Sequence, residues 1–159
     1  MPEVQELDSG PAREVAAENA YRKAAAVAAG APDALVLAVD TVVSLGSRLY
    51  GKPADVGGAR RMLQALSGQR HAVVGGMCLL RNGRPRTSVS CTLVDFRRLE
   101  DSLLDWYLAA GEWRERAGGY AIQGRGAALV EAIEGDYWNV VGLPLATLVA
   151  LEPGLLTEP

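Results

Sequence analysis

The chain has 159 residues, 49% of them hydrophobic, which suits one well-cored domain of a globular protein. Its formal net charge of -3 argues against a nucleic acid polymer or an anionic membrane as the partner, because both attract basic surfaces. These properties favour a small phosphorylated ligand that is met by a few locally placed cations. No apolar run approaches the ~20 residues of a membrane span and the N-terminus resembles no signal peptide, so we expect a cytoplasmic protein.

The cysteines and the histidine restrict the possible metal chemistry. Cys78 and Cys91 lie in apolar, strand-like surroundings, which favours reduced core thiols over a disulfide framework or a zinc site. His71 is the lone histidine, and this excludes a site built on several histidines. Any metal would therefore be a hard ion bound by oxygen atoms.

The first predicted element is a helix from Pro11 to about Ala29. Its apolar stripe consists of Val15, Ala16, Ala20, Ala24 and Val27. Lys23 falls on or beside this stripe, so its ammonium either points into a cleft or extends along the surface to solvent.

The run Val36–Leu45 is apolar and rich in β-formers, but Asp40 and Thr41 interrupt it. This pattern predicts a buried strand that delivers one carboxylate to its end, because a charge is not placed within a core without a partner. Asp40 is thus the first candidate for chemistry. The alternative is a strand-end aspartate that caps a turn.

A hairpin is predicted near Gly46, and Gly51-Lys52-Pro53 follows it directly. The proline blocks continuation of the strand and holds Lys52 at the rim near Asp40. Lys52 is then either a partner in an ion pair or a phosphate ligand. Asp55 to Leu66 is the next predicted helix.

The remaining framework consists of two long strands, Ala72–Leu80 and Thr87–Arg97, and a helix from Glu100 to Ala109. Asn82-Gly83 predicts a tight turn between the strands. The segment from Gly111 to Gly126 is rich in glycine and lacks the Walker spacing; we interpret it as a ligand-binding loop.

The last third of the chain predicts a pair of strands, Ala127–Ile133 and Tyr137–Val141, and a helix from Pro144 to about Leu151. We expect a loose tail over residues 153–159. The whole chain, residues 1–159, is predicted to form a single α/β domain with a mixed sheet.

Several short motifs, taken together, resemble the Maf family of nucleoside triphosphate pyrophosphatases, and they occur in the family order over nearly the whole chain. They are Arg22-Lys23-Ala24, Asp40-Thr41-Val42, Gly51-Lys52-Pro53, Leu66-Ser67-Gly68 with His71, Gly111-Glu112, Ala117-Gly118-Gly119-Tyr120, Ile122-Gln123-Gly124 and Asn139-Val140-Val141-Gly142-Leu143-Pro144. The resemblance implies two lobes around a cleft, similar to the fold of inosine triphosphatases. It also implies hydrolysis of a nucleoside triphosphate to the monophosphate and pyrophosphate with a divalent metal, Mg²⁺ or Mn²⁺.

The resemblance assigns roles to individual residues. Asp40 would be the catalytic carboxylate and a metal ligand. The second acidic ligand is matched only loosely, by Glu6 or by Glu3. Lys23 and Lys52 would neutralise phosphate oxygens as point charges. Trp113 and Tyr120 could stack on a base, although core packing is the favoured interpretation of both.

The resemblance also ties two positions to base choice, Thr41 and Gln123. An amide such as that of Gln123 offers both a donor and acceptors to a base edge. The leading hypothesis is therefore a pyrophosphatase that prefers dTTP and UTP. The alternatives are a pyrophosphatase for a modified nucleotide of the methylated GTP type and a non-catalytic, nucleotide-binding paralogue related to septum formation.

The Ala-Ser-x-Ser-Pro-Arg-Arg-like segment with which the family opens is not matched before Arg22. Because such a loop would grip the triphosphate with arginine, we expect this chain alone to bind triphosphates weakly and to hydrolyse them slowly. A homodimer is left open.

Overall fold

The structure, a computed structural model, describes residues 4–157. Its helices are α1 (Ala12–Ala28), α2 (Val56–Leu66), α3 (Asp101–Ala109), α4 (Tyr137–Val141) and α5 (Leu145–Leu151). Its strands are β1 (Val36–Leu45), β2 (Arg48–Tyr50), β3 (Arg70–Arg81), β4 (Arg84–Phe96) and β5 (Val130–Glu134). Short 3₁₀ helices span Ala117–Gly119, Arg125–Leu129 and Pro153–Leu156. The predicted α/β class is confirmed, and the 3₁₀ turn at Pro153–Leu156 lies where a loose tail is expected.

The strands of residues 4–157 form one sheet in the order β2-β1-β3-β4-β5. All four of the described pairings are antiparallel, where a mixed sheet is expected. β2 pairs only with Val43–Leu45, so in the described part of the chain the edge of β1 at Asp40 and Thr41 is open. This open edge is where the candidate site lies.

Asp40 lies in the middle of β1, and its expected place at a strand end is wrong. The strand continues because β3 pairs with it from Val36 to Ser44, with Asp40 opposite Gly76. A carboxylate is tolerated within a strand at this point because α1 brings polar partners to it. Alternation along the strand then turns Asp40 to the face of α1 and Thr41 to the opposite face.

Helix α1 packs closely on one face of the sheet. Ala16, Ala20 and Ala24 are fully buried, whereas Val27, predicted as part of the same stripe, is exposed. A Cβ at Gly76 would lie 2.1 Å from the carbonyl oxygen of Ala16, so glycine is required where the helix crosses β3. This close approach brings the side chains of α1 to the level of Asp40.

The opposite face of the sheet carries the larger core. Val43 and Val73 on this face pack with Leu63 of α2 and with Leu104 and Tyr107 of α3. Their neighbours Val42 and Val74 pack under α1, as the alternation of a strand requires.

The predicted strand Tyr137–Val141 is wrong, because these residues form helix α4 and β5 pairs with β4 instead. Gly135 has φ +124°, and the carboxylate of Asp136 then accepts a hydrogen bond from the backbone N–H of Trp138 at 2.8 Å. This cap starts a helix in spite of the β-forming side chains. Asn139 anchors the helix by donating a hydrogen bond to the carbonyl of Val73 at 3.0 Å.

The cysteines differ from each other in the structure. Cys78 is buried, as predicted, and Cys91 is exposed, so the expectation of two core thiols is wrong for Cys91. Both are free thiols within the described residues. No helix within residues 4–157 is long and apolar enough to cross a membrane.

Candidate functional site

The buried carboxylate of Asp40 has two polar partners from α1. Its Oδ1 accepts a hydrogen bond from Lys23 Nζ at 2.5 Å, and its Oδ2 accepts one from Asn19 Nδ2 at 3.2 Å. Asp40 is only 7% exposed, so these partners offset most of the cost of burying its charge. The structure thus fixes Asp40 in one orientation.

Lys23 also reaches a second carboxylate, that of Glu6, with 2.9 Å between Nζ and Oε1. Burial opposes the charged form of Lys23, but the hydrogen bonds and charges of Asp40 and Glu6 outweigh it. Together they raise the pKa of the ammonium above its usual 10.5. The ammonium is therefore positive at pH 7 and holds the two acidic residues side by side.

Asn19 was not predicted as a site residue. It is buried, and its amide pairs with the backbone of Leu7, accepting from the N–H at 2.7 Å and donating to the carbonyl at 3.0 Å. It therefore links the segment that carries Glu6 to Asp40. A signal existed, because Asn19 lies four residues before Lys23 and so on the same face of the helix.

The predicted metal ligands Asp40 and Glu6 converge on one cation, the Lys23 ammonium. Within residues 4–157 no group of three or more His, Cys, Asp or Glu side chains could hold a metal ion. Two carboxylates fit Mg²⁺ in the manner of enzymes that complete its coordination with water and substrate phosphates. Glu3, the alternative match to the acidic ligand, lies outside the described residues.

A cleft of about 230 Å³ opens at the edge of β1. It brings together five of the predicted site residues: Lys23, Asp40, Thr41, Lys52 and Gln123. A neighbouring cavity of about 200 Å³ shares Asp40 and is lined by Glu6 and Asn19. Glu6 thus lies behind Asp40 rather than in the cleft itself.

Lys52 lies at the rim of the cleft, as predicted, and its Nζ is 3.2 Å from Glu115 Oε2. The two side chains are 55% and 84% exposed, so water screens this pair and it contributes little to stability. The N–H of Gly118 donates to the carbonyl of Gly51 at 3.0 Å, which ties the two segments together beside Lys52.

The glycine-rich segment forms the wall of the cleft opposite Asp40, from Glu115 to Gln123. Gly118 and Gly119 have φ of +69° and +77°, and a Cβ at Gly118 would lie 3.0 Å from Val43. Glycine is needed here because the segment approaches β1 so closely. Behind Gln123, Glu112 accepts a hydrogen bond from the N–H of Arg125 at 2.7 Å.

Tyr120 is a buried residue of the glycine-rich segment that lies at the bottom of the cleft. Its hydroxyl is 2.8 Å from His71 Nε2, and both rings pack edge to face with Phe96. Burial lowers the pKa of His71 to about 4, only partly offset by the charge of Asp95, so the imidazole is neutral at pH 7. Burial likewise raises the pKa of the Tyr120 hydroxyl.

Trp113 packs in the core, where its indole N–H donates to the carbonyl of Leu108 at 3.2 Å. Core packing, the favoured sequence interpretation, is therefore correct for this residue. Glu115 and Arg116 also line the cleft but were not predicted as site residues. The glycines that predict a binding loop do not reveal which of its charged side chains face the cleft.

Comparison with known proteins places these features in a family context. Residues 1–152 match the family described as Maf-like protein. A dTTP/UTP pyrophosphatase of Pyrococcus furiosus is 46% identical over 138 residues, 87% of this chain and 73% of that protein. One of Anaeromyxobacter dehalogenans is 48% identical over 149 residues, 91% and 75% of the two chains. A dTTP/UTP pyrophosphatase of Deinococcus radiodurans is 45% identical over 150 residues, which are 94% of this chain and 75% of that protein.

Proposed function

We propose that this chain, which belongs to the family of Maf-like proteins, hydrolyses nucleoside triphosphates to monophosphate and pyrophosphate with a preference for dTTP and UTP. The observation that carries the proposal is the composition of one cleft. It holds a fixed carboxylate, two ammonium groups and an exposed amide, while similar proteins are named for this activity.

Asp40 is the group proposed to activate water. As water attacks one phosphorus of the α–β anhydride, Asp40 takes its proton, the anhydride bond breaks and pyrophosphate leaves. Lys23 and Asn19 hold the carboxylate in place, and each of its oxygens keeps a lone pair for the proton. Positioning of this kind supplies much of the rate acceleration in phosphoryl transfer.

Lys23 and Lys52 are proposed to neutralise phosphate oxygens. Lys23 is held by two carboxylates. Among the described residues Lys52 pairs with the exposed Glu115 alone, which a phosphate can displace easily. A divalent cation, Mg²⁺ or Mn²⁺, bound by Asp40 and Glu6 would add charge stabilisation at the phosphates.

Gln123 and Thr41 are proposed to select the base. The side chain of Gln123 is exposed in the cleft and can match a pyrimidine edge, donating to O4 and accepting from N3–H. A hydrogen-bonding site of this kind rejects a base that leaves its polar groups unpaired.

Its place of action is proposed to be the cytoplasm, since its substrates are nucleotides and Cys78 and Cys91 are free. A homodimer is the assembly to test by light scattering. We propose a free nucleotide as its ligand, with neither a nucleic acid polymer nor a membrane as a partner.

A panel of triphosphates tests the proposed function. Pyrophosphate release is measured from dTTP, UTP, CTP, dGTP and a methylated GTP with Mg²⁺ present, and the expected order has dTTP and UTP first. Faster release from the methylated nucleotide would assign a modified substrate. Binding of dTTP with no release from any member would instead identify a nucleotide-binding protein without activity.

A further inference from the structure

Arg116 supplies the third cation of the cleft, next to Lys23 and Lys52. We propose that its guanidinium binds the polyphosphate of the nucleotide, an inference that rests on the proposed function of the same cleft. Among residues 4–157, three cations and two carboxylates line the cleft, the carboxylates being Asp40 and Glu115. Glu6 lies just outside this lining, 2.9 Å from Lys23 Nζ. Without Arg116, the described lining would carry no net positive charge to attract a polyphosphate.

The other two cations already have partners. Lys23 is bonded to Asp40 and Glu6, and Lys52 to Glu115. Among the side-chain hydrogen bonds and salt bridges of residues 4–157, none involves the guanidinium of Arg116. An incoming phosphate can therefore bind Arg116 without first breaking an ion pair.

The backbone holds Arg116 at the Lys52 end of the cleft. Its N–H donates to the carbonyl of Trp113 at 3.4 Å, and Gly118, two residues later, is bonded to Gly51. Glu115, directly before it, has φ +57°, a conformation that is uncommon for a residue other than glycine. Such constrained residues cluster where a ligand is held.

The chemistry of guanidinium suits this position. A triphosphate carries about four negative charges at neutral pH, since the second phosphate pKa is ~6. Arginine can hold two phosphate oxygens at once in a fixed fork, whereas lysine acts as a point charge. Arg116 is thus expected to fix the orientation of the polyphosphate beside Lys52.

Arg114 provides a matched control. Its guanidinium lies over the ring of Trp113, 4.7 Å from the centroid, and it does not line the cleft. Both arginines are exposed on the same segment, so Arg116→Ala and Arg114→Ala remove equal charge from neighbouring positions. Thermal unfolding of both variants checks that the fold is retained.

The experiment measures binding of dTTP and dTMP by calorimetry together with pyrophosphate release. Arg116→Ala is expected to weaken dTTP binding about 10- to 100-fold, the range for a hydrogen bond to a charged group, and dTMP binding by at most about threefold. Arg114→Ala should leave both affinities within about twofold of the unaltered chain. Arg116→Lys, which keeps the charge but loses the fork, should lie between the unaltered chain and Arg116→Ala.

Equal affinities in Arg116→Ala and Arg114→Ala would overturn the inference, and so would an equal loss for dTMP and dTTP. If Arg116→Lys binds dTTP as tightly as the unaltered chain, the two-oxygen contact of the guanidinium is not needed for binding. If the unaltered chain binds dTTP but releases no pyrophosphate, the proposed hydrolytic function fails. In that case a selective loss of dTTP binding in Arg116→Ala would still support a role of Arg116 in polyphosphate binding.

Discussion

Two lysine–carboxylate pairs lie at the edge of β1, and their surroundings differ. On the face of α1, the side chains of Lys23 and Asp40 are 28% and 8% exposed and are tied to Glu6 and Asn19. On the side of the glycine-rich segment, Lys52 and Glu115 meet in open solvent. The same ion pair is thus a fixed structure in one region and an exchangeable contact in the other.

This difference separates two tasks. A group that activates water gains from a single orientation, and burial with several partners provides it. A group that binds phosphate gains from being available, and an exposed pair costs little to break. We therefore infer that the α1 face carries the chemistry, with Lys23 as its one contact to phosphate among the described residues, and that the opposite wall carries the rest of the binding and the base selection.

The largest expected effect comes from changing the fixed side. Asp40→Asn should lower pyrophosphate release about 100- to 10,000-fold, because general-base catalysis is lost while the shape of the side chain is kept. The exposed Asp33, which does not line the cleft, provides the control variant Asp33→Asn, expected to keep full activity. An unchanged turnover number in Asp40→Asn would remove this residue from the mechanism.

The second prediction concerns His71, whose Nε2 lies 2.8 Å from the hydroxyl of Tyr120 behind the glycine-rich segment. His71 has a pKa of about 4 in the fold and an ordinary value of 6.5, so between these pH values only the unfolded chain binds a proton. The neutral His71 therefore stabilises the fold fully above pH 6.5. As the pH falls from 6.5 through 4, the free energy of unfolding decreases by about 3 kcal/mol.

Denaturant unfolding from pH 7 to pH 4 checks this prediction in the unaltered chain and in His71→Gln, which can still bond the Tyr120 hydroxyl. Carboxylates with lowered pKa values that do not interact with His71, such as Glu152 beside Arg86, reduce the free energy of unfolding of both proteins at low pH. The difference between the two curves isolates His71, and parallel curves would contradict the assignment of a neutral buried imidazole.

The third prediction compares the two lysines directly. Lys23→Ala should reduce the free energy of unfolding by about 2 kcal/mol, because it leaves a buried carboxylate without its cation. Lys52→Ala should change it by less than about 0.5 kcal/mol, as expected of an exposed pair. Similar losses in urea unfolding would show that the two regions do not differ as described.

The fourth prediction concerns base selection at the binding wall. Gln123→Ala should narrow the ratio of kcat/KM between dTTP and dATP by about tenfold, the scale of one hydrogen bond to the base, because adenine presents a donor where thymine presents O4. Gln64→Ala, an exposed change on α2 away from the cleft, is the control. A ratio that stays constant would place selectivity elsewhere.

Much of the framework could be predicted because its signals are local. The apolar, β-rich run of β1, the Asn82-Gly83 turn and the apolar stripe of α1 each follow from a few neighbouring residues. Tyr137–Val141 was mispredicted because a cap at Asp136 and the anchor at Asn139 outweigh its β-forming side chains. The second of these depends on β3, which is distant in sequence.

The site could be predicted only in part, because several of its residues depend on contacts with elements that are distant in sequence. An isolated aspartate in an apolar run marks Asp40. The sequence places its partner Asn19 on the same helix face as Lys23, but the bond between Asn19 and Asp40 is seen only once α1 is laid across the sheet. The sequence does not decide whether Lys23 points into a cleft or to solvent, because helical periodicity cannot show what covers an apolar stripe. Arg116 could not be singled out from the sequence, because only the fold shows that Arg116 lines the cleft and that Arg114 does not.

The division between chemistry and binding is tested most directly by the affinity of Asp40→Asn for dTTP, measured by calorimetry in EDTA. The account predicts binding within about threefold of the unaltered chain, or tighter, because removing a carboxylate removes repulsion from the phosphates. A folded Asp40→Asn protein that loses dTTP binding in proportion to its turnover would contradict the account and place Asp40 in substrate binding.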